Sequence, residues 1–374
     1  MKKQFCNGKH NLVNKMKINL LIYHLDLGGV EKTAVEFANE LVELGHDVTI
    51  TTIYKFKPQM FDIDPRVKLR KNLGFYFKGL NSIVSLIPRK ILYSSFAKGD
   101  YDLEIAFQAE LPTDIIANSS NSKSRKYAWI HGIGMQYSDV YNKFDKIVFV
   151  SYDVKKHYAK SFINTSDENL KVVYNPMNFS DISEKSKVSE KTVAEGRIRF
   201  ISVGRLSEEK RFDRLIDAFS RVKEKTIFPI ELEIVGSGPE ESILKQKIND
   251  SNLKETVKLV GYQKNPYKFM INADVYVCSS DYEGFNVAVT EAGYLGLPIL
   301  TTNVYGAKEL LGANEYGLSV DLTEDAIVDG MIKMLDSKTR EHYSSIISNR
   351  VEELFVHQRT KQLLQLFADE DLKD

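Results

Sequence analysis

Asp281-Tyr-Glu-Gly-Phe-Asn-Val-Ala-Val-Thr-Glu-Ala-Gly293 decides how the rest of the chain is read. It follows a strand-like run, Ala273-Asp-Val-Tyr-Val-Cys-Ser-Ser280, and opens a helix that stops near Leu295-Gly-Leu-Pro298. The pattern predicts a strand, a turn and a helix start. A helix start presents unpaired N–H groups and a partial positive charge, which suits an anion. Glu283 falls on the loop, facing a cleft. Glu291 falls more than a helical turn further in, still on the cleft wall. Carboxylates are poor partners for phosphate and good acceptors for sugar hydroxyls, so the layout predicts a polyol and a phosphate held at one site. On spacing alone, an ordinary βα turn with two solvated glutamates stays open.

The same strand–turn–helix grammar recurs upstream. Arg197-Ile-Arg-Phe-Ile-Ser-Val203 predicts a strand, Gly204-Arg-Leu-Ser-Glu-Glu-Lys210 its turn, and Phe212 to Lys223 the following helix. Arg205 and Lys210 flank this glycine turn, and two cations beside free N–H groups make a diphosphate pocket. A surface Arg and Lys beside acidic neighbours is the plainer alternative. Ile230-Glu-Leu-Glu-Ile-Val235 runs into Gly236-Ser-Gly238-Pro, but Glu241 stands where a dinucleotide fingerprint needs its third glycine, which excludes a nicotinamide or flavin site. Val257-Lys-Leu-Val-Gly261, Leu297-Pro-Ile-Leu-Thr-Thr302 and Gly317-Leu-Ser-Val-Asp321 predict further strands.

The first half starts with Lys17-Ile-Asn-Leu-Leu-Ile-Tyr23, a continuous apolar run as expected of a buried parallel strand. Leu27-Gly28-Gly29-Val30-Glu31 leads into a helix through Leu44, closed by Gly45, and then a second strand, Asp47 to Ile53. Two adjacent glycines at the carboxyl end of a first strand let a backbone approach a ligand where open α/β sheets bind one. Tyr101–Phe107, Arg125–Ile130 and Lys146–Ser151 predict more strands, the second ending in His131-Gly132 at the mouth of the sheet. A helix through Tyr158 and Leu170-Lys-Val-Val-Tyr-Asn-Pro176 complete this half.

With 374 residues the chain fits two domains better than one core. Lys+Arg and Asp+Glu both total 51, a balance that points away from a general nucleic-acid binder, so no nucleic-acid partner is expected. A hydrophobic share of 43% with 19 Tyr and 20 Phe indicates a packed globular protein. The two cysteines, Cys6 and Cys278, fall in a polar leader and a buried strand, so a reducing compartment is expected. No Cys/His cluster has zinc-ligand spacing, and no metal is expected. Residues 1–15 lack the apolar core of a signal peptide, and no run of about 18 apolar residues spans a membrane.

Glu283-Gly-Phe-Asn-Val-Ala-Val-Thr-Glu291 resembles the Glu-x7-Glu signature of retaining glycosyltransferases of family 4. The resemblance covers most of residues 16–350 and is stronger in the second half. It implies the α/β GT-B fold, two Rossmann-like domains facing an interdomain cleft. The expected division is a polar leader (1–15), an acceptor-binding domain (16–180), a linker (181–196) and a nucleotide-sugar-binding domain (197–352). A terminal helix (353–374) is expected to cross back to the first domain. Gly-Arg-Leu-x-x-x-Lys looks like the family's diphosphate element, which gives Gly204, Arg205 and Lys210 the leaving diphosphate. Trp-Ile-His resembles its aromatic-aliphatic-His element, which places His131 near the donor sugar, and the Gly-Gly turn implies donor contacts at Gly28 and Gly29. Glu283 with Gly284 would hold sugar hydroxyls, Glu291 the ribose, and the amides of Phe285, Asn286 and Val287 the growing negative charge. Many members carry Gly or Pro where this chain has Asn286, a good helix cap. Tyr305-Gly-Ala-Lys-Glu-Leu310 occupies the position that often closes the donor pocket.

The implied reaction moves a sugar, with retention, from a nucleotide diphosphate sugar to a glycan or lipid-linked acceptor of surface polysaccharide biosynthesis. The co-substrate is expected to be a UDP-sugar by family frequency, with GDP and ADP open. A non-catalytic sugar-nucleotide-binding scaffold, or a GT-B epimerase or phosphorylase, remains as an alternative. Pro65 to Gly99 carries Arg66, Lys68, Arg70, Lys71, Lys78, Arg89, Lys90 and Lys98 with no Asp or Glu, interleaved with aromatics and aliphatics such as Phe77, Leu80 and Ile83. Such a surface suits an anionic bilayer, so residues 65–99 predict a peripheral location on the inner, cytoplasmic face of the plasma membrane. A solvated basic face over ordinary core positions is the alternative.

Overall fold

The computed structural model describes residues 14–26, 28–55, 61–75, 84, 86–135, 137–162, 164–187 and 196–368. Most of the polar leader with Cys6, Leu27, the Lys78 part of the basic stretch, residues 188–195 of the expected linker and residues 369–374 lie outside them. Two compact units emerge: Met1–Met177 together with Gln358–Asp374, and Asn178–His357.

In the first unit the strands are β1 (Lys17–Ile22), β2 (Asp47–Lys55), β3 (Lys68–Phe75), β4 (Leu103–Ala106), β5 (Arg125–Ile130), β6 (Lys146–Phe149) and β7 (Leu170–Val172). They form one sheet in the order β3-β2-β1-β4-β5-β6-β7, and every pair is parallel. β1 is buried at every position but Lys17, because a parallel strand between helices has two covered faces. Between β1 and β2 runs α1 (Gly29–Glu43), and Gly45 at φ 97° reverses the chain into β2. Strand order reverses between β1 and β4, so the Gly28 turn after β1 and Gln108 after β4 share the crevice at the switch point.

β3 comes from the basic stretch and was not expected as a strand. It occupies the sheet edge, where Lys and Arg are tolerated and no continuous apolar run is needed. The stretch continues in α2 (Arg89–Leu92), while Leu92, Tyr93, Phe96 and Ala97 enter the core. α3 (Leu111–Ile116) and α4 (Tyr152–Tyr158) follow β4 and β6.

The second unit begins at Asn178, not at the expected residue 197. Residues of the expected linker form α5 (Phe179–Ser186), whose Asn178 side chain accepts from the Asp181 amide. An Asp181–Lys185 ion pair, buried Ile182 and a Phe179–Tyr294 ring contact at 4.5 Å hold it. A cap and single anchors replace the apolar period that a sequence reading looks for. The sheet contains β8 (Ile198–Val203), β9 (Ile230–Val235), β10 (Val257–Gly261), β11 (Val275–Cys278), β12 (Ile299–Thr302) and β13 (Leu318–Val320), ordered β10-β9-β8-β11-β12-β13 and parallel throughout. α6 (Phe212–Lys225), α7 (Glu241–Asp250), α8 (Tyr267–Met270), α9 (Val287–Tyr294), α10 (Ala307–Leu311), α11 (Glu324–Lys333) and α12 (Ser337–Glu352) complete the unit. Leu215, Phe219 and Val222 of α6 join Leu232, Ile234, Val277, Leu300, Ile327 and Met331 in its core. Here the switch point lies between β8 and β11, which brings the Gly204 turn and the Asp281 loop to one crevice.

α12 passes through a wider π-turn, Glu353–Gln358, into α13 (Arg359–Ala368), and the division falls after His357 where residue 353 was expected to begin the terminal helix. α13 packs within the first unit. Gln362 Oε1 accepts from the Tyr174 amide at 3.0 Å, Lys146 Nζ donates to the Leu366 carbonyl at 2.7 Å, and Arg359 pairs with Glu40.

Candidate functional site

The centre of the second unit's site is one carboxylate oxygen. Glu283 Oε1 accepts from Lys210 Nζ at 2.5 Å, from Ser280 Oγ at 2.6 Å and from Asn286 Nδ2 at 3.0 Å. Three donors on one oxygen fix the carboxylate and leave Oε2 without a hydrogen-bond partner among the described residues. Burial works against the Lys210 ammonium, yet the Glu283 charge and its hydrogen bond outweigh it and raise the lysine pKa. Arg205, on the same turn, is exposed, and its guanidinium has no partner among the described residues.

Asn286 has two jobs. Its Oδ1 accepts from the Ala288 and Val289 amides and so caps α9, while its amide nitrogen holds Glu283. The cap occupies Ala288 and Val289; the expected donor amides of Asn286 and Val287 have no acceptor among the described residues. Phe285 is buried edge-on against Phe355 at 4.9 Å, so its ring is core. Gly284 and Phe285 lie under Gly306, whose φ of 79° and 3.0 Å clearance to the Phe285 ring leave no place for a side chain. Glu291 is 4% exposed and already accepts the Tyr267 hydroxyl at 2.8 Å, so the expected cleft-lining carboxylate is largely buried.

The glycines of Gly236-Ser-Gly238 explain themselves by packing. A Cβ on Gly236 would lie 1.8 Å from the Gly204 carbonyl oxygen, and one on Gly238 would lie 2.3 Å from that of Leu206. The Leu206 amide donates to the Ser237 carbonyl at 3.0 Å. These glycines let one turn seat the other, and so hold Gly204 and Arg205 in place.

In the first unit, the strand ends at the switch point carry a second cluster. A Cβ on Gly28 would fall 1.9 Å from Glu31 Oε2, whereas Gly29 has open space around it. Glu31 is 7% exposed, and burial raises its pKa. Gln108 Nε2 donates to Glu31 Oε1 at 3.2 Å, and Gln108 Oε1 accepts from the Tyr23 amide at 2.8 Å. Burial lowers the His131 pKa to about 3, against a hydrogen bond to the Phe107 backbone. Its ring lies 4.6 Å from that of Phe107, and Nε2 is buried with no partner among the described residues. Burial therefore favours the neutral imidazole.

Strand order thus places the Gly204, Arg205 and Lys210 turn and the loop of Glu283, Gly284, Phe285, Asn286 and Val287 at one switch point, with the Phe285 ring and Glu291 buried behind it, while Gly28, Gly29 and His131 follow strands of the first sheet. Ser280, Glu31 and Gln108 were not singled out as site residues. Ser280 has a signal, lying three residues before Glu283 at a strand end; Gln108 has none, because only the pairing of β4 beside β1 brings it to Glu31. Among the described residues no group of three or more His, Cys, Asp or Glu side chains is placed to hold a metal ion, and no helix is long and apolar enough to cross a membrane.

The sequence model of the family described as Glycosyl transferases group 1 matches residues 183–351. Over 369 residues the chain is 30% identical to the N-acetylgalactosamine-N,N'-diacetylbacillosaminyl-diphospho-undecaprenol 4-alpha-N-acetylgalactosaminyltransferase of Campylobacter jejuni, covering 90% of this chain and 95% of that one. A solved glycosyltransferase from Rickettsia africae superposes with a TM-score of 0.77 at 16% identity, over 96% of this chain and 100% of the other. HepE of Anabaena, solved in complex with UDP and glucose, superposes with a TM-score of 0.70 at 18% identity, over 94% and 100%. With nearly the whole chain aligned to a relative at that identity, this protein belongs to the glycosyl transferases group 1 family, and its two parallel-sheet units are those of a GT-B glycosyltransferase.

Proposed function

We propose that the chain is a retaining transferase, of the family 4 type, that moves a sugar from a UDP-sugar to a lipid-linked glycan in surface polysaccharide assembly. The observation that carries this is the triple grip on Glu283 Oε1, one donor of which, Lys210, shares its turn with Arg205, whose guanidinium has no partner among the described residues. Glu283 Oε2 would accept donor-sugar hydroxyls, and Arg205 with Lys210 would meet the diphosphate. His131 would meet a further sugar hydroxyl, and the Gly28–Gly29 turn would let the donor lie close to backbone. Glu291 would receive the ribose hydroxyls beside the Tyr267 hydroxyl that it already accepts. The bond from the anomeric carbon to the diphosphate oxygen breaks, and the diphosphate departs with the electron pair. The acceptor oxygen attacks from the same face and loses its proton to the diphosphate. Negative charge grows on the leaving group, where two cations and the amides of Phe285, Asn286 and Val287 act. These cations take the part a metal would otherwise play, so the proposed co-substrate needs no metal.

UDP is supported by HepE, named in complex with UDP and glucose, and a lipid-linked acceptor by the diphospho-undecaprenol in the Campylobacter jejuni relative's name. Calorimetric titration with UDP, GDP and ADP tests the donor. UDP is expected to bind the wild type and to bind Arg205→Ala at least tenfold more weakly, about 1.4 kcal/mol. Binding of none of the three would remove the donor site.

We further propose that the basic stretch docks the enzyme on an anionic membrane. Exposed Lys68, Lys71 and Lys90 lie in one stretch with Leu86, 83% exposed, and Ile91, 55% exposed. Arg66 and Arg89 contribute less, being paired with Asp64 and Asp114. Co-sedimentation with anionic vesicles should fall when Lys68, Lys71 and Lys90 become Gln; equal binding would sink the idea.

A further inference from the structure

Arg211 is a non-glycine residue in the left-handed region, at φ 51° and ψ 43°. It closes the short 3-10 turn that ends at Lys210 and opens α6, so this one residue joins the turn carrying the lysine to the helix behind it. An L-residue holds that conformation only where its surroundings over-determine it. Its side chain does not cap the helix. Instead, Nε and Nη2 each lie 3.1 Å from one oxygen of Asp213, and Nη1 lies 3.1 Å from Asp281 Oδ2. The other Asp281 oxygen is 2.7 Å from Arg214 Nη2, which also donates to the Ser279 carbonyl at 2.5 Å. Backbone ties run beside this network: the Asp281 amide donates to the Glu209 carbonyl and Ser279 Oγ to the Lys210 carbonyl, each at 2.9 Å. Lys210 and Glu283 stand at the tips of the two loops so joined.

We propose that Arg211 is a positioning residue for sugar transfer: its guanidinium, spanning Asp213 and Asp281, locks the left-handed turn so that Lys210 Nζ meets Glu283 Oε1 and Glu283 Oε2 stays open to the donor. This rests on the assignment of the crevice as the site of a nucleotide diphosphate sugar. Arg211 touches no reacting atom and acts through Lys210. A lysine at this position would reach one carboxylate but not span two, because its ammonium lacks the planar fork.

The test is a double-mutant cycle on the full chain, with UDP affinity and melting temperature measured for wild type, Arg211→Gly, Arg211→Lys, Lys210→Ala and Arg211→Gly/Lys210→Ala. Glycine adopts the left-handed region freely, so Arg211→Gly removes the guanidinium and keeps the backbone within reach. Arg211→Gly and Arg211→Lys are expected to melt cooperatively and to bind UDP about tenfold more weakly, and in the Lys210→Ala background the Arg211→Gly loss is expected to shrink below about twofold. Unchanged UDP binding by Arg211→Gly would overturn the inference, as would a loss that persists undiminished without Lys210. Loss of cooperative melting in both Arg211 variants would make the residue a fold determinant only and overturn it too. If the wild type binds no nucleotide diphosphate, the donor-site assignment falls and takes this inference with it; wild-type binding with an unaffected Arg211→Gly sinks this inference alone.

Discussion

Glu283 and Lys210 are each other's environment. Burial alone would lower the lysine pKa, and the carboxylate reverses that. In Glu283→Gln only the burial effect and weaker partners remain, so Lys210 should lose its proton at a lower pH than in the wild type. UDP affinity of the variant should then fall as pH rises through the mildly alkaline range, while the wild type stays flat; identical pH profiles would refute the coupling. On the proposed roles the same change should lower kcat/KM about 100-fold or more, because it weakens the hold on the sugar hydroxyls and the Lys210 charge that would face the leaving diphosphate. His131 behaves in the opposite sense. Its folded pKa of about 3 lies below the unfolded value, so its contribution to stability is whole above about pH 6.5 and is lost as pH falls from there toward 3. Within that window it removes up to about 1.4 kcal/mol per pH unit, and His131→Gln should flatten the acid limb of a melting-temperature profile.

At the scale of elements, the glycine turns divide into those that a structure needs and those that it tolerates. Gly236→Ala drives a Cβ to 1.8 Å from the Gly204 carbonyl, at a φ of 153°. It should destabilise by about 2 kcal/mol or more and weaken UDP binding, because it lifts the turn that carries Arg205. Gly29→Ala meets open space at the first position of α1 and should change stability by less than about 1 kcal/mol, in the favourable direction. Thermal melts of the two variants check the contrast. The double role of Asn286 could not be separated in the sequence: its capping propensity was legible, but its hold on Glu283 depends on how the Asp281 loop folds back.

At the scale of the molecule, the last helix belongs to the first unit although about half the chain separates them. Arg359 is 4% exposed, donates to the Tyr174 carbonyl at 2.9 Å and pairs with Glu40. Arg359→Ala removes the guanidinium that Glu40 and that carbonyl share, leaves the half-buried Glu40 charge uncompensated and should cost about 3 kcal/mol. Calorimetry should show the transition of the first unit moving down while UDP binding by the second is retained; an unchanged melt would show that α13 is held by its apolar face alone.

Strand–turn–helix units were legible because a parallel strand is a short apolar run and a helix start is marked by glycine, Asn or Ser, both local properties of the chain. β5, β9 and β10 carry in the structure the bounds their sequence runs suggest, and the Gly204, Gly28 and Asp281 turns stand at strand ends. What the sequence could not supply is pairing. β3 was hidden because an edge strand needs no apolar face, and α5 because a cap and two anchors leave no period. Strand order put Gln108 beside Glu31 and the Asp281 loop beside Lys210. The sequence by itself determined the two α/β units and the turns at their strand ends. Only the tertiary structure decided which carboxylate oxygen is held, which is open, and that Arg211 is fastened across 70 residues, because those contacts depend on strand order, not on neighbours in the chain.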